Sequence, residues 1–369
     1  MNLLVTGGAG FIGAHTVEAL RARGETVRVI DALTQPVHEP GVASPDDDAF
    51  IRGDVRDRAA WEAALDGIDA VVHLAAYQDY LPDYSTFFHT NATGTALLYE
   101  LIREHALPVR RVVYASSQSV YGEGQVLCDE HGVVAAAQRL ADDMARGDFD
   151  ARCSQCGRVS PKPVPMSEDF QAPHNAYGIA KLAGEQAALV LGEQTGVETV
   201  ALRYAIVHGP GQSPRNAYSG LLRSACLSLL GGRAPVVFED GKQLRDYVAI
   251  DDVVSANLLA LDHPDAPGRA YNVGGARTWS VLEVLDALGD VAPEPRAPEI
   301  PGLFRVGDVR HTIGDLSRLR ALGWEPNTDL VQTWRRYWAW LSEQDLGART
   351  VGDAFEDMQR RGVLRSAKM

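Results

Sequence analysis

The chain has 369 residues, of which 46% are hydrophobic and 23% are charged, and its formal net charge is −14. This size allows a large core in one big domain or in two interlocked ones. The acidic balance disfavours nucleic acid and anionic membranes as partners, because like charges repel. No apolar run reaches the roughly 18 residues of a membrane span. The N-terminus also lacks a signal-peptide pattern, so we expect a cytoplasmic protein without a membrane segment.

Strand-like and helix-like runs alternate through the first half of the chain. The strand-like runs are Leu3–Thr6, Val27–Ile30, Ala70–Leu74 and Arg111–Ala115. The helix-like runs between them include Phe11–Arg23, Trp61–Leu65 and Thr90–Glu104. This alternation predicts an α/β fold with a Rossmann-type, doubly wound parallel sheet.

The alternation is interrupted once and then becomes weaker. Residues from about Gly122 to Ser167 lack a sustained period and are interpreted as an insertion in a loop, at about 123–167. A helix at about Asn175–Glu193 and a strand at Thr199–Tyr204 follow. We therefore predict a first domain at 1–205 and a smaller mixed lobe at 206–345, with 246–262 returning to the first domain. Residues 346–369 form a tail, either helical or loose.

A glycine motif follows the first predicted strand. Gly7, Gly10 and Gly13 follow this strand and open a helix, where glycines let backbone N–H groups approach a pyrophosphate. Asp31 ends the next strand, and its carboxylate can accept hydrogen bonds from ribose hydroxyls while repelling a 2′-phosphate. The motif predicts an NAD site, whereas a glycine turn in a protein without a nucleotide is the alternative.

A tyrosine–lysine pair and a serine-rich strand end predict the chemistry. Tyr177 and Lys181 are four residues apart and lie on one helix face. The strand at 112–115 runs into Ser116 and Ser117, where a doubly wound sheet binds its ligand. A lysine ammonium and a nicotinamide ring would lower the pKa of the tyrosine from its ordinary value near 10. The pair alone is weak evidence, because a solvated helix face often carries one. The glycine motif, the serine-ended strand and the tyrosine–lysine pair nevertheless occur in the right chain order, which favours a catalytic role.

These motifs resemble the extended short-chain dehydrogenases/reductases, and within them the NAD-dependent nucleotide-sugar epimerase/dehydratase family. The resemblance covers about residues 1–340 and rests on TGGAGFIG, RGDV, HLAA, NATGT, SSQSVYG, YGIAK, LRYAIVHGPGQ, GKQLRDYVAIDDV and YNVGG. It implies a Rossmann-type domain, a substrate-binding lobe, NAD as cofactor and a nucleotide-diphosphate sugar as substrate. Tyr177 would take a hydroxyl proton while hydride leaves sugar carbon 4, and hydride return to the other face would invert that carbon.

The resemblance also assigns individual residues. Ser117 becomes the catalytic serine, with Tyr177 and Lys181 as its partners. The residues implied at the cofactor besides this pair, the glycines and Asp31 are Phe11, Ile12, Asp54, Val55, Leu74, Ala75, Ala76, Asn91 and Ser116. The residues implied at the substrate are Gln78, Gln118, Ser119, Asn216, Arg245 and Arg305. The last three are implied at the nucleotide diphosphate, and the forked guanidinium groups of the two arginines suit a pyrophosphate. The segment Tyr77–Tyr84 is expected to line the sugar site.

Departures within the motifs narrow the reaction. The family's 4,6-dehydratases carry an Asp–Glu pair after the catalytic serine, whereas this chain has Gln118 and Ser119, which cannot do that acid–base work. Ile206 replaces an asparagine that commonly contacts the substrate. The pattern most resembles the branch containing dTDP-L-rhamnose 4-epimerases, which shares the cysteine-bearing insertion, an NAYSG-like segment and a GDVRH stretch. The family also implies a homodimer through helices near Thr90–Glu104 and Asn175–Glu193.

The insertion carries three of the four cysteines. Cys128 and His131 form a C-x₂-H pair, and Cys153 and Cys156 form a C-x₂-C pair about 20 residues later. Two such pairs suit a tetrahedral structural zinc ion. Unligated thiols and a Cys153–Cys156 redox pair are the alternatives.

The leading functional hypothesis is an NAD-dependent nucleotide-sugar 4-epimerase. A 4-ketoreductase or dehydrogenase on a similar sugar is the alternative enzyme, and would consume cofactor where an epimerase retains it. The alternative from another class is a non-catalytic, dinucleotide-sensing regulator. The presence of all three residues Ser117, Tyr177 and Lys181 argues against it.

Overall fold

The computed structural model describes residues 1–367 except 36, 40, 80, 161, 217–219, 345 and 347–350. Tyr80 of the predicted sugar-site segment and residues 217–219 of the NAYSG-like segment therefore lie outside the described residues. Within the described part of the chain, no helix is both long and apolar enough to cross a membrane.

The elements follow one another as fifteen strands and twelve α-helices in the described residues. The strands are β1 (Asn2–Thr6), β2 (Thr26–Asp31), β3 (Phe50–Arg52), β4 (Ala70–His73), β5 (Arg111–Ser117), β6 (Gln125–Cys128), β7 (Gly132–Ala135), β8 (Pro163–Val164), β9 (Glu198–Tyr204), β10 (Ile206–His208), β11 (Leu244–Ala249), β12 (Arg269–Val273), β13 (Thr278–Ser280), β14 (Leu303–Arg305) and β15 (Leu364–Ser366). The helices are α1 (Phe11–Ala22), α2 (Arg58–Leu65), α3 (Tyr84–Phe88), α4 (Gly94–Glu104), α5 (Ala141–Met144), α6 (Ala176–Thr195), α7 (Gly220–Leu230), α8 (Ile250–Asp262), α9 (Val281–Gly289), α10 (Ser317–Arg320), α11 (Leu330–Ser342) and α12 (Val351–Arg360).

A seven-stranded parallel sheet in the order β12-β9-β5-β4-β1-β2-β3 combines six strands from residues 2–204 with β12 from the later part of the chain. Side chains alternate across it: Leu3 and Val5 face the layer of α1 and α8, and Leu4 faces the layer of α2 and α4. Because both faces are covered, the strands read as continuous apolar runs. The predicted Rossmann-type α/β fold is confirmed, and the carboxyl ends of the strands meet at one edge.

The second lobe is built around the three-stranded sheet β10-β11-β13. Helices α7, α9 and α11 pack together beside it and bury Trp334 and Tyr337. The predicted tail contains α12 and β15, and β15 pairs antiparallel with β14 so that Arg305 lies opposite Leu364. The predicted domain boundaries remain a prediction.

The insertion between β5 and α6 contains an antiparallel sheet with the order β7-β6-β8, and α5 lies between β7 and β8 along the chain. Its strands have two to four residues. Strands this short do not produce a detectable hydrophobic period, which explains why the sequence indicated an irregular loop.

Candidate active site

Glycines shape the loop between β1 and α1. Gly7 has a φ of +68°, and a Cβ there would lie 2.8 Å from the backbone nitrogen of Ala75. A Cβ at Gly13 would lie 2.1 Å from the carbonyl oxygen of Gly7. Gly10 precedes Phe11, where α1 begins without a side-chain cap. The loop thus offers backbone N–H groups and a helix N-terminus, the arrangement that binds a pyrophosphate.

Asp31 ends β2 beside this loop. Its Oδ2 accepts a hydrogen bond from the N–H of Ala9 at 3.0 Å, and its Oδ1 accepts one from Leu33 at 2.8 Å. These bonds hold the carboxylate in place while leaving lone pairs for ribose hydroxyls. A 2′-phosphate would meet negative charge there, which favours NAD over NADP.

The other residues predicted at the cofactor lie along the same edge of the sheet. Asp54 follows β3, next to the strand that ends in Asp31, and makes an ion pair with Arg56 at 2.6 Å. The remaining positions are the first turn of α1 (Phe11, Ile12), buried Val55, the segment after β4 (Leu74, Ala75, Ala76), and Asn91 in a π-helical turn at His89–Thr93.

His73 connects the ends of two neighbouring strands. Its Nδ1 lies 2.7 Å from Thr6 Oγ1, which also accepts the N–H of Ala75 at 3.0 Å. Burial, together with the nearby Lys181 charge, lowers the pKa of His73 to about 3. His73 is therefore a neutral, structural histidine that holds the segment after β4 against the glycine loop.

One face of α6 carries the predicted catalytic pair into the protein. The helix begins after Asn175, whose side-chain oxygen accepts the N–H of Gly178 at 2.8 Å. Tyr177 and Lys181 are 8% and 2% exposed. A Cβ at Gly178 would lie 2.4 Å from the carbonyl oxygen of Ser119, so the first turn of α6 lies against the turn that follows β5.

Lys181 and Tyr177 both lie near Tyr114. The Lys181 ammonium lies 4.9 Å from the centroid of that ring. Burial raises the pKa of Tyr114, and the proximity of Tyr177 adds to the rise. Burial lowers the pKa of Lys181 to about 7, although Glu185 raises it. A lysine with this pKa and a tyrosine beside it can exchange a proton near neutral pH.

Ser117 is the last residue of β5 and is nearly buried. Its Oγ accepts the N–H of Ser119 at 3.1 Å and donates to Ser119 Oγ at 3.2 Å. Gln118 and Ser119 are half-buried in the 3₁₀ turn after the strand. Neither side chain titrates near neutral pH, so this turn offers hydrogen bonds and no acid–base pair.

A buried ion pair supports this edge of the sheet. Arg203 donates two hydrogen bonds to Glu185, at 2.6 and 2.9 Å, and both side chains are at most 2% exposed. Ser116 Oγ donates to the same carboxylate at 2.5 Å. Sequence reasoning missed this pair, although Glu185 follows Lys181 by four residues and therefore shares its helix face.

The predicted sugar-site segment lies beside Tyr177. The Asn91 side chain accepts the N–H of Tyr77 at 3.0 Å and donates to its carbonyl oxygen at 2.9 Å. Gln78 follows and is half-buried. The Phe87 ring packs edge-on against the rings of Tyr77 and Tyr177, with centroid separations of 5.0 and 6.4 Å.

Two predicted substrate arginines converge on Asp308. Arg305 Nη2 lies 3.0 Å from Asp308 Oδ2, and Arg245 Nη2 lies 3.6 Å from Oδ1. Burial would raise the pKa of Asp308, but Arg305, Arg245 and Arg139 lower it below its ordinary value. Asn216, the remaining predicted residue of this group, is buried. Both predicted diphosphate arginines thus face the same carboxylate.

Four side chains of the insertion converge at one point. The ligand atoms of Cys128, His131, Cys153 and Cys156 lie within 4.8 Å of one another. His131 Nδ1 is 3.6 Å from the Sγ atoms of both Cys128 and Cys153, and Cys128 Sγ is 3.8 Å from Cys156 Sγ. Tetrahedral zinc, with bonds of about 2.3 Å to sulfur and about 2.0 to 2.1 Å to nitrogen, requires about 3.8 Å between sulfurs and about 3.6 Å from sulfur to nitrogen. The donor set and its spacing therefore fit zinc.

The parallel sheet, the glycine loop with Asp31 and the residues at the end of β5 define an extended short-chain dehydrogenase/reductase. The chain belongs to the NAD dependent epimerase/dehydratase family, whose profile matches residues 3–137 and 153–274. The matched stretches leave out 138–152, which lie in the insertion.

Relatives and solved structures agree with this family. The chain is 32% identical to a dTDP-L-rhamnose 4-epimerase from Burkholderia thailandensis, covering 93% of this chain and 95% of the relative. It is 31% identical to a UDP-glucose 4-epimerase from Lacticaseibacillus casei, covering 89% and 93%. The structure of Thermotoga maritima UDP-glucose 4-epimerase with UDP-glucose aligns with a TM-score of 0.75 at 28% identity, covering 92% of this chain and 98% of that one. The complex of Thermus thermophilus UDP-glucose 4-epimerase with NAD aligns with a TM-score of 0.70 at 28% identity, covering 93% and 99%. The predicted family is confirmed.

Proposed function

We propose that this protein is an NAD-dependent nucleotide-sugar 4-epimerase. The observation that carries the proposal is the buried face of α6 with Tyr177 and Lys181, set against the end of β5 at Ser117. Gln118 and Ser119 stand where a dehydratase would carry acids. The relatives named above include 4-epimerases of dTDP-L-rhamnose and of UDP-glucose.

The proposed mechanism assigns one role to each residue. Tyr177, as phenolate, accepts the proton of the sugar 4-hydroxyl, and the Lys181 ammonium stabilises that phenolate. The Ser117 hydroxyl donates a hydrogen bond to the reacting oxygen. The glycine loop and Asp31 would hold NAD⁺, which when bound supplies a reversible hydride acceptor for sugar carbon 4. Tyr177 then returns the proton to the 4-oxygen. Carbon 4 is inverted without net oxidation when the hydride returns to the opposite face of the sugar.

We propose a dTDP-linked sugar as substrate, with its diphosphate bound by Asn216, Arg245 and Arg305. Guanidinium groups make charge-assisted, two-pronged hydrogen bonds to phosphate. The relative from Burkholderia thailandensis, a dTDP-L-rhamnose 4-epimerase, supports this choice of nucleotide. Gln78, Gln118 and Ser119 are proposed to contact the sugar.

Incubation with dTDP-L-rhamnose, UDP-glucose and UDP-glucuronic acid, each without added cofactor, tests the function. We expect proton NMR to show inversion at carbon 4, with dTDP-L-rhamnose converted fastest. A stoichiometric change in nicotinamide absorbance without inversion would indicate a dehydrogenase or ketoreductase. NAD binding without any turnover would favour a regulator.

The rate of turnover should depend on the proton shared by Tyr177 and Lys181. Burial lowers the pKa of Lys181 to about 7. Below that pH, Lys181 and Tyr177 are both protonated, so Tyr177 is a phenol and cannot accept the substrate proton. We expect kcat to rise with pH to half its maximum near pH 7 and then to level off. In Lys181→Met the midpoint should move towards the ordinary tyrosine value near 10. A flat profile between pH 5.5 and 8.5 would contradict this assignment.

We further propose that Cys128, His131, Cys153 and Cys156 bind a structural zinc ion. The tetrahedral spacing of their ligand atoms supports zinc over a redox pair, because His131 takes part in the cluster. We expect about one zinc per chain by mass spectrometry. Cys156→Ser should lower that content, while Cys226→Ser, at a buried cysteine outside the cluster, should leave it unchanged. Native protein that is essentially free of zinc after expression with added zinc would refute the site.

The protein is also proposed to form a homodimer through α4 and α6, which pack side by side. Val190 and Ile179 on α6 are 51% and 43% exposed, which is high for apolar side chains on a core-facing helix. We expect light scattering to give about twice the chain mass of 39.9 kDa. A mass of one chain at all concentrations would contradict the dimer.

A cytoplasmic location is proposed on the state of the cysteines. None of the four cysteines, all of which lie among the described residues, forms a disulfide, which agrees with a reducing compartment. Fractionation of cells that express the protein from its own gene would test the location.

A further inference from the structure

Arg139 extends from the insertion into a buried contact with the second lobe. Its side chain is 3% exposed and lies 3.1 Å from Glu123, at the start of the insertion, and 2.8 Å from Glu239, in the second lobe. It also donates a hydrogen bond to the carbonyl oxygen of Asp308 at 2.7 Å. Loss of one member of such a buried charge group leaves the others uncompensated, so their positions depend on one another.

The backbone segment of residues 308–310 connects Arg139 to Arg245. Within the segment, Arg310 donates its backbone N–H to Glu123 at 2.9 Å and its guanidinium to Glu239 at 2.9 Å. Two carbonyl oxygens of the segment accept hydrogen bonds from Arg245, at 2.7 and 2.6 Å. The orientation of Arg245 is thus set by a backbone segment that the insertion holds.

A second contact joins the insertion to Arg305. Met144 and Phe149 of the insertion pack around Phe304, which is fully buried and precedes Arg305 in β14. The carbonyl oxygen of Phe149 accepts a hydrogen bond from Arg139 at 3.2 Å, which connects the two contacts. Both predicted diphosphate arginines therefore rest on the same insertion.

The cysteine cluster holds the backbone that presents these contacts. Cys153 forms an antiparallel bridge with Ala136, three residues before Arg139. The buried apolar core around the cluster has five residues, and Cys128 and Cys153 are two of them. A core this small contributes little stability by itself, so bonds from these side chains to a metal would supply much of the order of the insertion.

We propose that the zinc-bound insertion positions the diphosphate site, and that loss of zinc weakens nucleotide binding while leaving NAD binding intact. Arg139 is the positioning residue, because it touches neither the predicted cofactor loop nor Tyr177 and acts through the segment 308–310. The proposal rests on the proposed function, since it requires Arg245 and Arg305 to bind a diphosphate.

The test measures the binding of dTDP and of UDP by calorimetry to the full-length protein. The samples are native protein, protein stripped of zinc with a chelator, stripped protein with zinc restored, Arg139→Met and Arg139→Lys. Arg146→Met is the matched control, because Arg146 is exposed and pairs within the insertion with Asp143. Bound NAD is measured on each sample by absorbance after denaturation.

We expect zinc removal and Arg139→Met each to weaken dTDP binding by about tenfold, within the range of coupling between sites, with NAD content unchanged. Zinc restoration and Arg139→Lys should recover most of the affinity, and in turnover assays KM should rise while kcat stays. Unchanged dTDP affinity in zinc-stripped protein and in Arg139→Met would overturn the proposal and leave the proposed function intact. If Arg139→Met fails to fold, the comparison of zinc-stripped with zinc-restored protein gives the same decision. Native protein that binds neither dTDP nor UDP would contradict both.

Discussion

Replacement of Tyr177 by phenylalanine is expected to lower kcat by about 10² to 10⁴-fold, the usual contribution of a general acid–base group. The variant removes one oxygen from a nearly buried ring that packs against Phe87, so the fold and NAD binding should persist. Turnover of dTDP-L-rhamnose, followed by NMR, measures the effect.

Tyr99→Phe is the control for the loss of a buried tyrosine hydroxyl. The Tyr99 hydroxyl lies 2.8 Å from Thr199 Oγ1, away from the carboxyl edge of the sheet, so its loss should cost about 0.5 to 1.5 kcal/mol of stability and little turnover. Equal loss of activity in both variants would show that Tyr177 acts through the fold rather than through its proton.

Replacement of Arg203 by methionine is expected to lower the free energy of unfolding by about 3 to 5 kcal/mol, because it leaves the Glu185 carboxylate buried without its cation. The second substitution Glu185→Gln should recover part of this loss, since it removes the uncompensated charge. Urea unfolding followed by circular dichroism measures both effects.

An exposed ion pair provides the comparison for Arg203. Arg336 pairs with Asp251, and both side chains are about half exposed, so Arg336→Met should change stability by less than about 0.5 kcal/mol. If Arg203→Met proved as mild as Arg336→Met, the buried pair would not be what holds α6 to β5 and β9.

The large sheet was predictable because its physical signature is local. Leu3–Thr6 and Arg111–Ala115 are apolar runs that are covered on both faces, and the observed strands β1 and β5 contain them. The motif residues were predictable for a related reason: parallel strands end at one edge, so residues after β1, β2, β4 and β5 converge there. Strand β3, with three residues, gave no such signal.

Contacts between distant segments were not predictable from one sequence. Arg139 meets Glu239 one hundred residues later, and no local spacing distinguishes it from a surface arginine. Arg203 lies in one of the sequence motifs, but its role became apparent only in the fold, where it donates a hydrogen bond to Glu185. The metal-ligand pairs were visible by spacing, whereas the packing of their insertion beneath Arg305 required the three-dimensional structure.

The origin of the hydrogen at sugar carbon 4 tests the central claim most directly. The native protein is incubated with dTDP-L-rhamnose in deuterium oxide without added cofactor, and carbon 4 of substrate and product is analysed by NMR. In this account Tyr177, Lys181 and Ser117 act on the 4-hydroxyl group, and the hydride that leaves carbon 4 returns to the same carbon. We therefore expect inversion at carbon 4 with protium retained there. Absence of inversion, or inversion with deuterium at carbon 4, would contradict the account.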